Sequence, residues 1–214
     1  MATQRFYNLD ENIQQRILTA AREEFAAHGF ERASLNTIIR NAAISKGSMY
    51  YYFEDKADLY LTLMRQIAEQ QVGLFDAVFT AQTAGEYWAA MRTAMAENTQ
   101  RAMDEPDLMQ LGRGGLELLQ SGGENNPLTG FMAEQQAFHV RFLEVGQSLG
   151  AIRTDLPMPL LLNLFVSVTM TFKTWLLHEF DHSEPFTASD IAARCVDLVQ
   201  RTLDPQPFPQ PTES

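Results

Sequence analysis

The chain has 214 residues, of which 45% are hydrophobic and 20% charged, and its formal net charge at pH 7 is -11. This composition is typical of a soluble globular protein with one large or two small domains. Cys195 is the only cysteine, which excludes an intrachain disulfide and suits a reducing compartment. The N-terminus lacks an apolar signal region, so we expect a cytoplasmic rather than a secreted protein.

The negative charge is distributed unevenly along the chain. Residues 1–65 hold eight basic and eight acidic side chains, whereas residues 66–214 hold eight basic and 19 acidic ones. Because nucleic acid attracts basic surfaces, the acidic body is a poor partner for it. Any contact with DNA is therefore expected in the neutral N-terminal head.

The chain shows apolar residues at helical spacing and no convincing alternation of the kind strands need, which predicts an all-α fold. Ser34, Ser45 and Gly29 mark helix starts and a helix stop near the N-terminus. The predicted helices, in chain order, are 10–28, 35–41, 45–53, 56–78, 86–104, 108–120, 127–149, 157–179 and 188–203. The predicted parts are a head at 1–55, a helical body at 56–204 and a loose proline-rich tail at 205–214.

Two short helices joined by a tight connection at residues 42–44 predict a helix-turn-helix. Met49 and Phe53 lie one turn apart and can both face the core. The opposite side of the second short helix then presents Lys46, Gly47, Tyr50 and Tyr51. This face offers one ammonium, hydroxyls and a position without a side chain, so it can approach a phosphate backbone closely. The alternative is an ordinary solvated surface.

The segment ILTAAREEFAAHGFERASLNTIIRNAAISKGSMYYYFEDKADL resembles the DNA-binding head of the tetracycline-repressor (TetR) family of bacterial transcription regulators. The likeness covers about residues 13–59, and the ISKGSMYYYF.DK..L block carries it most specifically. It implies an N-terminal three-helix helix-turn-helix domain followed by a helical ligand-binding and dimerisation domain. Ile39 and Ala43 depart from the family pattern, which usually has a small residue and a glycine there. The residues that the resemblance places at DNA are Ser34, Asn36, Ser45, Lys46, Gly47, Ser48, Tyr50, Tyr51 and Lys56.

The resemblance also implies a homodimer through the last two long helices, at 157–179 and 188–203. The first of these is apolar nearly all round, although its uncharged run is short of the roughly 20 residues that a membrane span needs and contains prolines. We therefore expect an interface helix and no membrane partner. Few basic groups serve one head, and a dimer would double the contacts on a palindromic double-stranded operator, with its recognition helices about one DNA turn, or about 34 Å, apart.

The middle helices are expected to hold a small-molecule effector, apolar or amphipathic, against aromatic and methionine side chains. Such stripes also form ordinary protein cores, and that alternative stays open. Asn98, His139 and Arg141 are the candidate polar groups nearby. The predicted pocket residues are Trp88, Met91, Met95, Phe131, Phe138, His139 and Phe142.

The stretch HEFDH, from His178 to His182, fits the H-E-x-x-H pattern of zinc hydrolases. It lies at the end of a predicted dimer helix, where His182 falls at or beyond the helix terminus, and no third histidine is near in sequence. We therefore expect no metal site, no cofactor and no enzymatic activity. The sequence predicts a ligand-responsive repressor, with an activator as the main alternative and a zinc hydrolase as a remote one.

Overall fold

The computed structural model describes residues 2–120, 126–180 and 185–205, and this part of the chain is helical without a strand. Short turns join most of the helices. In chain order they are α1 (Gln4–Tyr7), α2 (Glu11–Arg32), α3 (Leu35–Asn41), α4 (Lys46–Tyr52), α5 (Lys56–Gly73), α6 (Asp76–Phe79), α7 (Ala84–Asp104), α8 (Pro106–Gln120), α9 (Thr129–Ser148), α10 (Met158–His178) and α11 (Ala188–Leu203).

Most predicted helices are present, with two differences at their ends and one additional helix. The α2 helix continues to Arg32, beyond the end predicted at Gly29. Gly29 still interrupts the helical backbone, because its φ of 68° is a value that only glycine adopts freely. The helix predicted to reach Val78 ends at Gly73 and is followed by the separate short α6. The four-residue α1 was not predicted.

The chain divides into two compact units that differ from the predicted parts. The first unit comprises Met1–Gln71 and Ala102–Glu134, and the second comprises Val72–Arg101 and Gln135–Ser214. The boundary predicted at residue 55 separates an expected DNA-binding part from an expected effector-binding part. It does not coincide with the boundaries of the compact units, and the division by function stays a prediction. Residues 206–214 of the predicted tail lie outside the described residues.

The first unit is built on α2, which packs against α3 and α8. Its core includes Phe25, whose ring lies 4.9 Å from that of Tyr60. Arg22 on α2 joins the start of α8 through ion pairs to Glu105 and Asp107. The head helices are thus fixed to α8 by apolar packing and by a cluster of charged groups.

The second unit contains its own core, centred on α7, α9, α10 and α11. The buried Tyr87 hydroxyl donates to the carbonyl oxygen of Phe142 at 3.1 Å. Thr187 and Asp190 form a reciprocal capping box that starts α11. Among the described helices, α10 is long and apolar enough to cross a membrane by length and composition, yet only 22% of its most apolar window is buried within the chain.

Candidate nucleic-acid interface

The second short helix, α4, is fixed at both ends by its own sequence. The Ser45 hydroxyl oxygen accepts a hydrogen bond from the Ser48 amide at 2.9 Å, which caps the helix start. Met49 and Phe53 are each 1% exposed and anchor the inner side in the core of the first unit. Side chains four positions apart lie on the same face of a helix. With Met49 and Phe53 turned inward, Lys46 with Tyr50, and Gly47 with Tyr51, face outward.

The outer face of α4 consists of Lys46, Gly47, Tyr50 and Tyr51, all exposed. Both tyrosines expose 52% of their surface, a large fraction for aromatic side chains. A Cβ added at Gly47 would meet only the Ser45 hydroxyl, at 3.7 Å, so the chain's own packing does not require glycine there. A partner that approaches the backbone closely would require it.

The first short helix, α3, holds its predicted site residues in different roles. The Ser34 hydroxyl accepts from the Thr37 amide at 3.4 Å, and the Ser34 amide donates to the Glu24 carboxylate at 2.8 Å. Ser34 is therefore half-buried and occupied as a cap, while Asn36 is exposed. In the following turn Ala43 has a φ of 52°, the left-handed region that glycine favours. The departure from the family pattern is thus accommodated with a strained alanine.

Lys56, also predicted to contact DNA, is engaged within the head. Its ammonium donates to the carbonyl oxygens of Glu31 at 2.8 Å and Ala33 at 3.3 Å, and it lies 4.9 Å from the Phe30 ring centroid. These contacts satisfy carbonyls at the end of α2, where a cation also complements the helix dipole. Ser48 is similarly occupied, since its hydroxyl lies 2.8 Å from that of Ser45. Contact of either residue with DNA stays a prediction.

The structure adds one group beside this face that the sequence did not indicate. The guanidinium carbon of Arg5, on α1, lies 4.1 Å from the ring centroid of Tyr51. A single arginine in a segment too short for helical periodicity gives no pattern to detect. The signal that could have found it is the apolar Phe6, which must bury its ring and so bring its neighbours against the head.

The predicted effector residues divide between the two units. Phe131 belongs to the core of the first unit. In the second unit Trp88, Met91 and Phe142 are buried, and Met95 and Phe138 pack against the same core. All of these positions are consistent with either a core or a pocket wall, so their role in binding a ligand stays a prediction.

The predicted polar groups of the effector region belong to the second unit. The His139 ring lies between aromatic neighbours, with centroids 5.7 Å from Phe138 and 5.4 Å from Phe165. Burial lowers the pKa of this imidazole, and the nearby Lys173 lowers it further. Lys173 retains exposed surface, yet desolvation of its ammonium also lowers its own pKa. Both groups of the second unit are therefore protonated less readily than they would be in water.

The other two polar candidates have simpler surroundings. Asn98 is half-buried, and the Arg141 guanidinium lies 4.4 Å from the ring centroid of Phe79. A separate groove of about 660 Å³ lies along α10 and α11. The predicted effector residues do not line it. Its walls are Met170, Thr171, Phe172, Thr174, Trp175, Glu179, Phe186, Ile191 and Arg194.

The HEFDH stretch is only partly described. His178 is the exposed last residue of α10, Glu179 caps its end, and His182 lies outside the described residues. Within the part of the chain that the structure describes, no group of three or more His, Cys, Asp or Glu side chains could hold a metal ion. The helix ends before the second histidine, so the one-turn spacing that a zincin needs is not provided by α10.

Comparison with known sequences supports the resemblance of the head. A sequence model of bacterial regulatory proteins of the tetR family matches residues 17–63. The transcriptional regulator UidR of Escherichia coli K12 is 40% identical over 60 residues, which are 28% of this chain and 31% of UidR. The transcriptional repressor AcnR of Corynebacterium glutamicum is 39% identical over 57 residues, 27% of this chain and 30% of AcnR. The matched region thus spans about a third of these curated relatives.

Solved structures extend the likeness to the whole fold. FadR from Bacillus subtilis in complex with stearoyl-CoA is 18% identical with a TM-score of 0.68, covering 86% of this chain and 96% of FadR. The SmeT–triclosan complex is 17% identical with a TM-score of 0.70, covering 93% of this chain and 100% of SmeT. At such identities the likeness shows the fold alone. Residues 17–63 therefore resemble the tetR family of bacterial regulatory proteins, and the chain shares its fold with FadR and SmeT.

Proposed function

We propose that the chain is a sequence-specific DNA-binding regulator that acts as a cytoplasmic homodimer, represses transcription from a palindromic operator, and is released by a small molecule. The observation that carries DNA binding is the outer face of α4. Lys46, Tyr50 and Tyr51 are exposed there around Gly47, whose missing side chain the chain's own packing does not explain. Hydroxyl, ammonium and bare backbone suit phosphate oxygens and groove edges.

Dimerisation follows from the small number of charges on this face. Lys46 is the only basic residue within α4, and affinity for DNA grows with the number of phosphates neutralised. Pairing through α10 and α11 would double the contacts. The apolar, largely unburied α10 supports this pairing, as does Leu198 of α11, which is 47% exposed. A monomer that left such a surface in water would be prone to association.

Repression is supported by AcnR, which is described as a repressor. Activation is the alternative, because the DNA-binding face does not determine where the operator lies relative to a promoter. Mapping the sites of the purified protein around its own gene separates the two. A site overlapping the promoter would support repression, and a site upstream of it would support activation.

The effector is proposed to be an amphipathic molecule bound in the helical body. FadR holds stearoyl-CoA and SmeT holds triclosan, both with large apolar parts. In this chain a ligand carboxylate beside Lys173 and His139 would favour the charged forms of both groups, whose pKa values burial lowers in the free protein. A thermal-shift screen should therefore compare fatty acids with neutral alcohols of equal chain length.

Effector and DNA should weaken each other's binding by the same factor, typically about 5- to 150-fold for such couplings. Operator affinity is measured with and without each compound that stabilises the protein. If every specific binder leaves operator affinity unchanged, release by a ligand is wrong for this chain.

DNA binding is tested on the outer face of α4. Lys46→Ala should lower the slope of log affinity against log salt by about 0.9 for each half-site, because one phosphate contact is lost. Tyr50→Phe removes only a hydroxyl and should weaken binding with the slope retained. Affinity is measured by fluorescence anisotropy on a duplex selected by the purified protein from random DNA. Unchanged affinity and slope in both variants would exclude this face.

The remote zinc-hydrolase alternative has its own test. His178→Ala combined with His182→Ala should leave DNA binding intact. Stoichiometric zinc in untagged protein purified without added metal, together with peptidase activity that this double variant loses, would support a hydrolase instead.

A further inference from the structure

The N-terminal arm, residues Thr3–Tyr7, is fixed against the end of α4. The Thr3 amide donates to the carbonyl oxygen of Tyr52 at 2.9 Å, and the Thr3 hydroxyl donates to that of Tyr51 at 3.2 Å. Phe6 is 1% exposed, and its ring centroid lies 4.9 Å from that of Phe53. Backbone and side-chain contacts thus hold the arm beside the DNA-binding face.

This anchoring puts the charge of Arg5 next to an exposed ring of that face. The guanidinium carbon lies 4.1 Å from the Tyr51 ring centroid, a distance typical of a cation–π contact. Among the described residues Arg5 has no carboxylate partner. Stacking restricts the guanidinium plane while leaving its N–H donors directed outward along its edge.

An ordered arginine edge is well matched to a phosphate, which it can bind through two parallel hydrogen bonds. The arm contacts the carbonyls of Tyr51 and Tyr52, and therefore lies at the C-terminal end of the α4 face. We propose that Arg5 is a DNA-contacting residue that binds a backbone phosphate flanking each half-site. This inference rests on the proposed DNA-binding function of α4 and adds a second cation to the single lysine of that helix.

The test compares three substitutions at Arg5 on the selected duplex, in the full-length protein. Arg5→Ala and Arg5→Gln should each weaken binding roughly tenfold for each half-site and lower the salt slope by about 0.9 for each half-site. Arg5→Lys keeps the charge but loses the planar stack, so it should keep the slope and weaken binding less. Arg16→Ala, an exposed arginine of α2, is the charge-matched control and should change the slope less than Arg5→Ala.

A purely structural role for Arg5 predicts a different result. If Arg5 only positions Tyr51, then Arg5→Gln would weaken binding without changing the salt slope, and the phosphate contact would be refuted. Equal slope changes in Arg5→Ala and Arg16→Ala would refute it too, since they would reflect net charge alone. Lys46→Ala separates the two proposals. If the salt slope falls in Lys46→Ala but not in Arg5→Ala, only the phosphate contact of Arg5 is refuted. If the slope falls in neither variant, the proposed DNA-binding face of α4 is refuted as well.

Discussion

Replacing Arg22 by alanine should loosen the attachment of α2 to α8 in the first unit. The Arg22 guanidinium forms hydrogen bonds to both oxygens of Asp107, one of them at 2.9 Å, and a further one to Glu105. The three side chains expose 24%, 37% and 34% of their surface, so they are neither fully buried nor fully hydrated. Removing Arg22 leaves two carboxylates without their shared cation.

The expected cost lies between that of a surface pair and that of a buried one. Exposed ion pairs contribute about 0 to 1 kcal/mol, whereas removing one partner of a buried pair costs about 3 to 5 kcal/mol. A bidentate pair that is about one-third exposed should fall between these limits, so we expect Arg22→Ala to lower the free energy of unfolding by about 2 kcal/mol. Arg16→Ala, an exposed arginine of the same helix, should change it by less than about 0.5 kcal/mol.

The effect should depend on pH with a definite sign. Burial tends to raise the pKa of Asp107, but the hydrogen bond and charge of Arg22 outweigh it, and the net pKa is lowered. The stabilisation is therefore present above the unfolded carboxyl pKa of about 4 and is lost as pH falls through the lower folded value. The difference in the free energy of unfolding between wild type and Arg22→Ala should therefore become smaller as the pH falls below about 4.

The assay is urea unfolding followed by far-ultraviolet circular dichroism, with hydrogen exchange of α2 and α8 as a local measure. Both tryptophans, Trp88 and Trp175, lie in the second unit, so their fluorescence reports on that unit separately. A double-mutant cycle with Asp107→Ala isolates the pair. A coupling energy near zero, or a loss in Arg22→Ala no larger than in Arg16→Ala, would refute the reasoning.

Three further predictions concern single positions. Gly146→Ala should cost about 1 to 3 kcal/mol in thermal or urea unfolding, because the new Cβ would lie 2.5 Å from an Ile152 side-chain atom, whereas Gly130→Ala in the same helix meets nothing and should be neutral or stabilising. Ala43→Gly should be neutral or stabilising by up to about 1 kcal/mol because φ is 52°, and the same change at the buried neighbouring Ala42 should destabilise in the same assay. Cys195 is 1% exposed, and burial raises the pKa of its thiol to about 11. A thiol reagent at pH 8 should therefore label it only after unfolding. Rapid labelling of the folded protein would contradict this.

Local signals in the sequence predicted most of the helices. The bounds of α3 and α11 agree with prediction because a capping side chain starts each of them and apolar spacing continues through it. The four-residue α1 has no such signal. Hydrogen bonds from Thr3 to α4 and the burial of Phe6 hold it, and both depend on chain segments about 50 residues apart.

The candidate sites show the same limit. Periodicity predicted that Met49 and Phe53 face inward, and so predicted the exposed face of α4. It could not show that carbonyls at the end of α2 occupy Lys56, because that contact forms only in three dimensions. Phe131 and Phe138 share a stripe on α9, yet they pack in different units, since a stripe does not reveal which partner it meets at each turn.

The division of the chain into units has a practical consequence for protein engineering. The first unit is assembled from two separated stretches, and residues 102–134 supply α8, on which α2 packs. An isolated fragment ending at residue 71 would carry the proposed DNA-binding face but would expose the apolar side of α2 that packs on α8. Chimeras that join this head to the effector domain of another regulator should therefore include both stretches. Otherwise the apolar side of α2 that packs on α8 should be redesigned with polar residues.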